Sequence, residues 1–128
     1  MQTSTVTIYN YDDIIAVKMN TNGEIEWNAK IPKHQSTSGN TNALSYTWTN
    51  CNGSFVFVYN SSLGRKESLV NASVIDAMGK VENEVLMTSE KDELMLYPGY
   101  SSRIAACGIM LYSARKKNYQ FSIMQVIQ

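Results

Sequence analysis

Apolar and polar residues alternate in short runs along most of this chain, and polar turns rich in asparagine and glycine separate the runs. In Glu24–Asn28, for example, Ile25 and Trp27 alternate with two glutamates. A period of two is typical of a strand with one buried and one solvated face. The pattern predicts an all-β protein in which Ile25 and Trp27 point inward and Glu24 and Glu26 point outward.

About nine strands are predicted in this way. Phe55–Tyr59 is apolar on both faces, which is typical of a central strand. Ile14–Met19 has one apolar face and one mixed face. The other predicted strands are Thr5–Tyr11, Glu24–Asn28, Leu44–Thr49, Leu69–Ile75, Lys80–Leu86, Arg103–Tyr112 and Tyr119–Ile127. One short helix of one or two turns is predicted at Thr88–Glu93, where Ser89 and Asp92 fit a capping box.

A strand-turn-strand unit occurs twice, as Ile14–Ile31 and as Leu69–Leu86. The turn glycines, Gly23 and Gly79, lie 56 residues apart. Such a recurrence indicates a repeat architecture. We divide the single domain 1–128 into repeat units of about 5–43, 44–88 and 94–128.

The middle unit supplies four sequential antiparallel strands, which is the content of one β-propeller blade. The fold prediction is therefore antiparallel, propeller-like blades, about two to two and a half in number. Because propellers have at least four blades, the chain is interpreted as an incomplete propeller, an oligomer that completes one, or a smaller sandwich- or barrel-like variant.

The composition narrows the range of partners. The chain of 128 residues has 11 basic and 11 acidic residues, so it has no global electrostatic attraction to nucleic acid. Its longest apolar run, Ile104–Tyr112, is too short to span a bilayer, and the polar start shows no signal peptide. We expect no nucleic-acid partner and no membrane insertion. Self-association or a protein partner is expected, because open sheet edges favour association.

Side chains that could carry chemistry are few. The two cysteines, Cys51 and Cys107, are interpreted as free, partly buried thiols in preference to a single disulfide or a reactive thiol. His34, the only histidine, lies in a polar loop and is interpreted as solvated. The basic cluster Arg115–Lys117 is interpreted as a solvated turn. We predict no catalytic residue, no metal site and no cofactor.

The best candidates for a ligand or interface surface are aromatic residues beside a polar loop. Tyr46 and Trp48 follow the loop that contains Lys33, His34 and Gln35. Aromatic side chains next to polar groups bind sugar rings and peptides. Packing of these aromatics between sheets is nevertheless the interpretation that the sequence favours for them.

The segment Ala16–Trp27 has a strand, a turn glycine and a tryptophan four residues after the glycine. It resembles the repeat of quinoprotein-like (PQQ-like) β-propellers. The second copy keeps Asp76 and Gly79 but has Asn83 in place of the tryptophan. The stretch 13–59 is also similar to propeller-repeat segments of bacterial envelope proteins.

The resemblance implies a propeller-type sheet without a quinone site, because the carboxylates that hold the calcium of that site are not present. It also implies a location in the cell envelope or outside the cell. We expect a non-enzymatic β-repeat module with a structural or protein-binding role. The alternatives are a carbohydrate- or peptide-binding propeller segment and a fragment of a larger propeller enzyme.

Overall fold

The computed structural model describes residues 5–39, 41–63, 67–90, 95–115 and 117–127. These residues form an all-β protein of antiparallel sheets, with one 3-10 turn at Pro98–Tyr100 and no α-helix within these ranges. The all-β prediction is confirmed. The strands are β1 Tyr9–Tyr11, β2 Ile14–Met19, β3 Ile25–Ile31, β4 Gln35–Thr37, β5 Thr47–Cys51, β6 Ser54–Leu63, β7 Glu67–Ile75, β8 Val81–Glu90, β9 Met95–Leu96, β10 Ser102–Ala105, β11 Gly108–Arg115 and β12 Asn118–Gln125.

The described residues form four sheets, and three of them follow one another along the chain. The N-terminal sheet is the β2–β3 hairpin, and the central sheet has the order β5-β6-β7-β8. The C-terminal sheet has the order β10-β11-β12, and β9 pairs with β11. β1 pairs separately with β4. The four sequential strands predicted for the middle unit are therefore confirmed as one sheet, with the doubly apolar strand β6 inside it.

The central sheet is covered on both faces. On one face, Phe57, Tyr59 and Ile75 pack against Ile14 and Ile31 of the N-terminal sheet. On the other face, Val56, Val58, Val70 and Ala72 pack against the C-terminal sheet, which contributes Leu96, Ile109 and Leu111. This double burial explains why β6 is apolar on both sides.

The two predicted glycine turns have the same hydrogen bonds. In the β2–β3 turn, the side chain of Asn20 accepts hydrogen bonds from the backbone N–H groups of Asn22 and Glu24. In the β7–β8 turn, Asp76 accepts from Met78 and Lys80. Gly23 and Gly79 each donate to the carbonyl oxygen of the residue three positions earlier, and both have positive φ.

Trp27 joins the first of these hairpins to the turn of the second. Its indole Nε1 donates to the carbonyl oxygen of Ala77 at 3.1 Å. Its ring lies directly against Gly79, so that a Cβ at this position would be 2.8 Å from Trp27 Cδ2. Trp27 therefore points inward as predicted, whereas Ile25 is exposed beyond a register shift between Lys18 and Met19.

A disulfide connects the central and C-terminal sheets. Cys51 ends β5, and Cys107 lies in the turn between β10 and β11. The prediction of two free thiols is wrong, and the alternative of a single disulfide is correct. Such a bond is consistent with an extracytoplasmic protein.

Two predicted elements are also wrong. β8 continues to Glu90, so the first half of the predicted helix Thr88–Glu93 is a strand, and residues 91–94 lie outside the described residues. The strand predicted at Arg103–Tyr112 is a hairpin instead, with its turn at residues 106–107. Ala105 ends β10, Gly108 begins β11, and the turn residue Cys107 has positive φ and is held by the disulfide.

Neither a closed barrel nor a propeller forms from the described residues. Each end sheet is covered on one face only. In β2 the mixed face packs inward through Ile14 and Ala16, and the apolar face of Ile15, Val17 and Met19 is exposed. On the inner face, Ile14 and Ala16 pack together with Ala29 and Ile31 of β3 against the central sheet.

Candidate binding cleft

The structure separates the five predicted surface residues into two groups. Lys33 and Gln35 are 7% and 2% exposed, so they are not available to a ligand as predicted. Tyr46 and Trp48 are 40% and 43% exposed and lie on the surface of the central sheet. His34 is exposed, as interpreted, and its Nδ1 lies 2.8 Å from Asp12 Oδ1.

Lys33 and Gln35 hold the linker between the N-terminal and central sheets. Lys33 Nζ donates to the carbonyl oxygen of Tyr11 and to Gln35 Oε1, both at 2.9 Å. The Gln35 amide donates to the carbonyl oxygen of Asn60, and its Oε1 also accepts from the backbone N–H of Ser45. Burial lowers the pKa of Lys33. Burial of these polar groups is tolerated because each of them has a hydrogen-bond partner.

Four aromatic side chains form a strip on the face of the central sheet that points to the N-terminal sheet. This aromatic strip comprises Tyr46, Trp48, Phe55 and Phe57. Tyr46 meets Phe57 edge to face with ring centroids 5.4 Å apart, and the rings of Trp48 and Phe55 are 6.1 Å apart. The guanidinium of Arg103 lies 5.9 Å from the Trp48 ring, within the range of a cation–π contact.

A cleft of about 710 Å³ opens between most of this strip and β2. Tyr46, Phe55 and Phe57 line one side of it, and Trp27, Gly53 and Ala77 also contribute to the lining. All six residues of β2, Ile14 to Met19, line the other side. Because successive side chains of a strand point to opposite faces, six consecutive lining residues mean that the strand edge itself borders the cleft.

The cleft exists because the two facing sheets differ in width. The central sheet has four strands, whereas the N-terminal sheet has two. β2 pairs with β3 and with no other strand in the described ranges. The hairpin packs against Phe57 and Tyr59 of β6, Ile75 of β7 and Val81 of β8. It leaves Tyr46, Trp48 and Phe55 exposed.

A second aromatic surface lies at the opposite end of the molecule. The outer face of the C-terminal sheet carries Tyr112, Phe121 and Tyr119, which contact one another through their rings. Tyr97 and Tyr100 extend the cluster. Phe121, Tyr119 and the neighbouring Ile123 are all more than half exposed.

No group of three or more His, Cys, Asp or Glu side chains that could hold a metal ion occurs among the described residues. In the part of the chain that the structure describes, no helix has the length and hydropathy needed to cross a membrane.

Compared with known proteins, the chain matches no family model, no curated protein and no solved structure. The sequence named Tyr46 and Trp48 as candidates for a recognition surface, and the structure leaves both of them partly exposed. It did not identify Phe55, Phe57 and β2 as neighbours of Tyr46 and Trp48. The apolar pattern of these strands is the same whether or not a second sheet covers them.

Proposed function

We propose that this protein is a non-enzymatic, extracytoplasmic β-repeat module with a structural role, which associates sheet on sheet through its two outer faces. The N-terminal outer face comprises Ile15, Val17 and Met19, and the C-terminal outer face comprises Tyr112, Tyr119, Phe121 and Ile123. The proposal rests on one observation: large apolar side chains are exposed on the outer faces of both end sheets. Ile15, for example, is 70% exposed.

The internal packing supports this mode of association. Each neighbouring pair of sheets already packs face to face through apolar side chains. The N-terminal, central and C-terminal sheets stack in the order in which they occur along the chain. A further contact of the same kind would therefore join the C-terminal outer face of one copy to the N-terminal outer face of another. Large exposed apolar patches on a folded protein mark interaction sites.

The resemblance to quinoprotein-like repeats supports the same proposal. In a propeller, blades pack face to face around an axis. A head-to-tail assembly of this chain would extend a propeller-type stack, and an envelope or extracellular location would fit the disulfide.

The test uses one lysine substitution on each outer face. We expect light scattering to show association of the wild-type protein that increases with concentration, and monomers for both Val17→Lys and Phe121→Lys. Because every head-to-tail contact needs both faces, an equimolar mixture of the two variants should form a one-to-one dimer through the pair of intact faces. Met78→Lys, which changes an exposed methionine in the β7–β8 turn, is the matched control and should associate like the wild type.

Two results would contradict the proposal. A wild-type protein that stays monomeric up to the highest soluble concentration would refute self-association. Self-association of Val17→Lys alone, together with a monomeric Phe121→Lys, would show that the C-terminal outer face pairs with itself.

A carbohydrate-binding role is the second candidate, favoured by the exposure of Trp48 beside Tyr46. Sugar rings stack on exposed aromatic faces. Binding on a glycan array that is lost in Trp48→Ala would support it. However, the Arg103 guanidinium already lies near the Trp48 ring, so we rank this candidate second.

A further inference from the structure

β2 combines two features that are seldom exposed together in a folded protein. Its backbone edge is unpaired within the described ranges, and an apolar cleft runs along this edge. Unpaired edges bind further strands, and native proteins normally cover or charge them. We propose that the cleft binds an extended peptide segment of a protein partner, which pairs antiparallel with β2 and places alternate apolar side chains on the aromatic strip.

The molecule contains its own example of this arrangement. β2 leads into the Asn20 turn in the same way that β7 leads into the Asp76 turn, with matching hydrogen bonds. In the central sheet, the edge of β7 away from β8 pairs with β6. The corresponding edge of β2, away from β3, is the one that borders the cleft.

The side chains of the two strands also correspond. Val70 and Ala72 of β7 are buried against the next sheet. Ile14 and Ala16 of β2, 56 positions earlier, pack against the next sheet in the same manner. A segment that pairs with β2 as β6 pairs with β7 would therefore point alternate side chains toward the central sheet.

The floor of the cleft fits such side chains. The interface between the N-terminal and central sheets contains Ile14, Ile31 and Phe57, and the cleft continues it through Ala16, Phe57 and Phe55. The occupant would extend an existing apolar interface. The walls of the cleft contain one charged side chain, Lys18, which pairs with Glu26 at 3.2 Å. The lining therefore favours a peptide with alternating apolar residues over a charged ligand.

The experiment uses a synthetic peptide that copies β6, Ser54–Leu63, with flanking lysines for solubility and a fluorescent label. Fluorescence anisotropy measures its binding, and hydrogen exchange locates it. We expect saturable binding and slower amide exchange in β2. A peptide with proline in place of Val58 should bind much more weakly, because proline lacks the N–H and disrupts strand pairing.

A matched pair of variants tests the position of the peptide. Phe55→Ala removes a 41% exposed ring from the cleft, and Ile8→Ala removes a 62% exposed side chain that belongs neither to the cleft lining nor to an outer face. We expect Phe55→Ala to weaken binding about tenfold, since it removes a partly buried aromatic contact, and Ile8→Ala to leave binding unchanged. Tyr46→Ala gives a second cleft variant if Phe55→Ala does not fold.

Several results would overturn the proposal. They are no saturable binding of the β6 peptide, equal binding of the proline peptide, slower exchange in β12 instead of β2, and equal weakening by Phe55→Ala and Ile8→Ala. Ile15, Val17 and Met19 of the N-terminal outer face also line the cleft. Because the experiment measures binding of the peptide directly, monomeric behaviour of the protein would not decide this proposal.

Discussion

At the scale of single residues, Gly23 and Gly79 have the same local conformation, but the fold adds a steric constraint at Gly79 alone. Both glycines have positive φ, which disfavours any residue with a Cβ. At Gly23 a Cβ would meet nothing within 4 Å, whereas at Gly79 it would collide with the Trp27 ring. The two positions are equivalent locally and different in tertiary context.

We therefore predict that Gly79→Ala is more destabilising than Gly23→Ala. The cost at Gly23 should be about 1 kcal/mol, from backbone strain alone. At Gly79 it should be about 3 kcal/mol, because displacement of Trp27 adds to the strain. Urea denaturation followed by circular dichroism measures both values. Equal losses would mean that Trp27 can move away from this turn at no cost.

At the scale of elements, Asp13 closes the open end of the β2–β3 hairpin. Its Oδ1 accepts a hydrogen bond from the backbone N–H of Lys33 at 3.0 Å, and its Oδ2 lies 3.2 Å from Lys30 Nζ. The hydrogen bond from the Lys33 backbone, and then the contact with Lys30, lower the pKa of Asp13 below its ordinary value of 3.8. The ionised form is therefore favoured in the folded protein.

This pKa shift has a definite consequence for the pH dependence of stability. With a folded pKa below the unfolded one, the contribution of Asp13 is present above pH 3.8 and is lost as the pH falls below it. When the pH is lowered from about 6 to about 3, we predict that the free energy of unfolding decreases less for Asp13→Asn than for the wild type. Chemical denaturation at several pH values tests this. Glu84→Gln on the exposed face of β8 is the control, and an equally reduced acid dependence there would contradict the assignment to Asp13.

Most elements could be predicted from the sequence, and the errors have physical causes. The strands of the central sheet and the glycine turns follow from alternation and turn chemistry, which are local properties. The hairpin at 102–115 could not be predicted, because Cys107 has positive φ without a glycine, and the disulfide to Cys51 that holds it is a long-range contact. The strand character of 88–90 comes from pairing with β7, which overrides a weak helix cap.

At the scale of the whole molecule, the Cys51–Cys107 disulfide connects two sheets across 56 residues of sequence. A covalent link of this length reduces the conformational entropy of the unfolded chain. The same segment is joined by hydrogen bonds from Cys107 N to the carbonyl oxygen of Asn50 and from Thr49 Oγ1 to that of Ala105. The disulfide therefore reinforces an interface that packing also holds.

We predict that the double variant Cys51→Ser/Cys107→Ser loses about 4 kcal/mol of stability, as expected for closure of a loop of this size. Guanidinium denaturation measures the loss, and the wild-type protein in a reducing agent should behave like the variant. If a reducing agent leaves the denaturation midpoint of the wild type unchanged, the bond is not formed in solution.

The candidate site was only half predictable from the sequence. Tyr46 and Trp48 were identified from aromatic residues beside polar turns, and both are exposed. Lys33 and Gln35 were placed with them because they look polar and solvated in sequence. In the fold their long side chains reach buried carbonyl oxygens and the backbone N–H of Ser45, and no local pattern encodes such partners.

The sequence by itself determined the strands, their antiparallel hairpins and the glycine turns, because alternation and positive-φ positions depend on neighbours in the chain. The tertiary structure decided which face of each strand is buried, which cysteines are joined and where an edge stays unpaired. These outcomes depend on the width and order of the stacked sheets. In β2 the more apolar face is the exposed one, and only the position of the central sheet explains that choice.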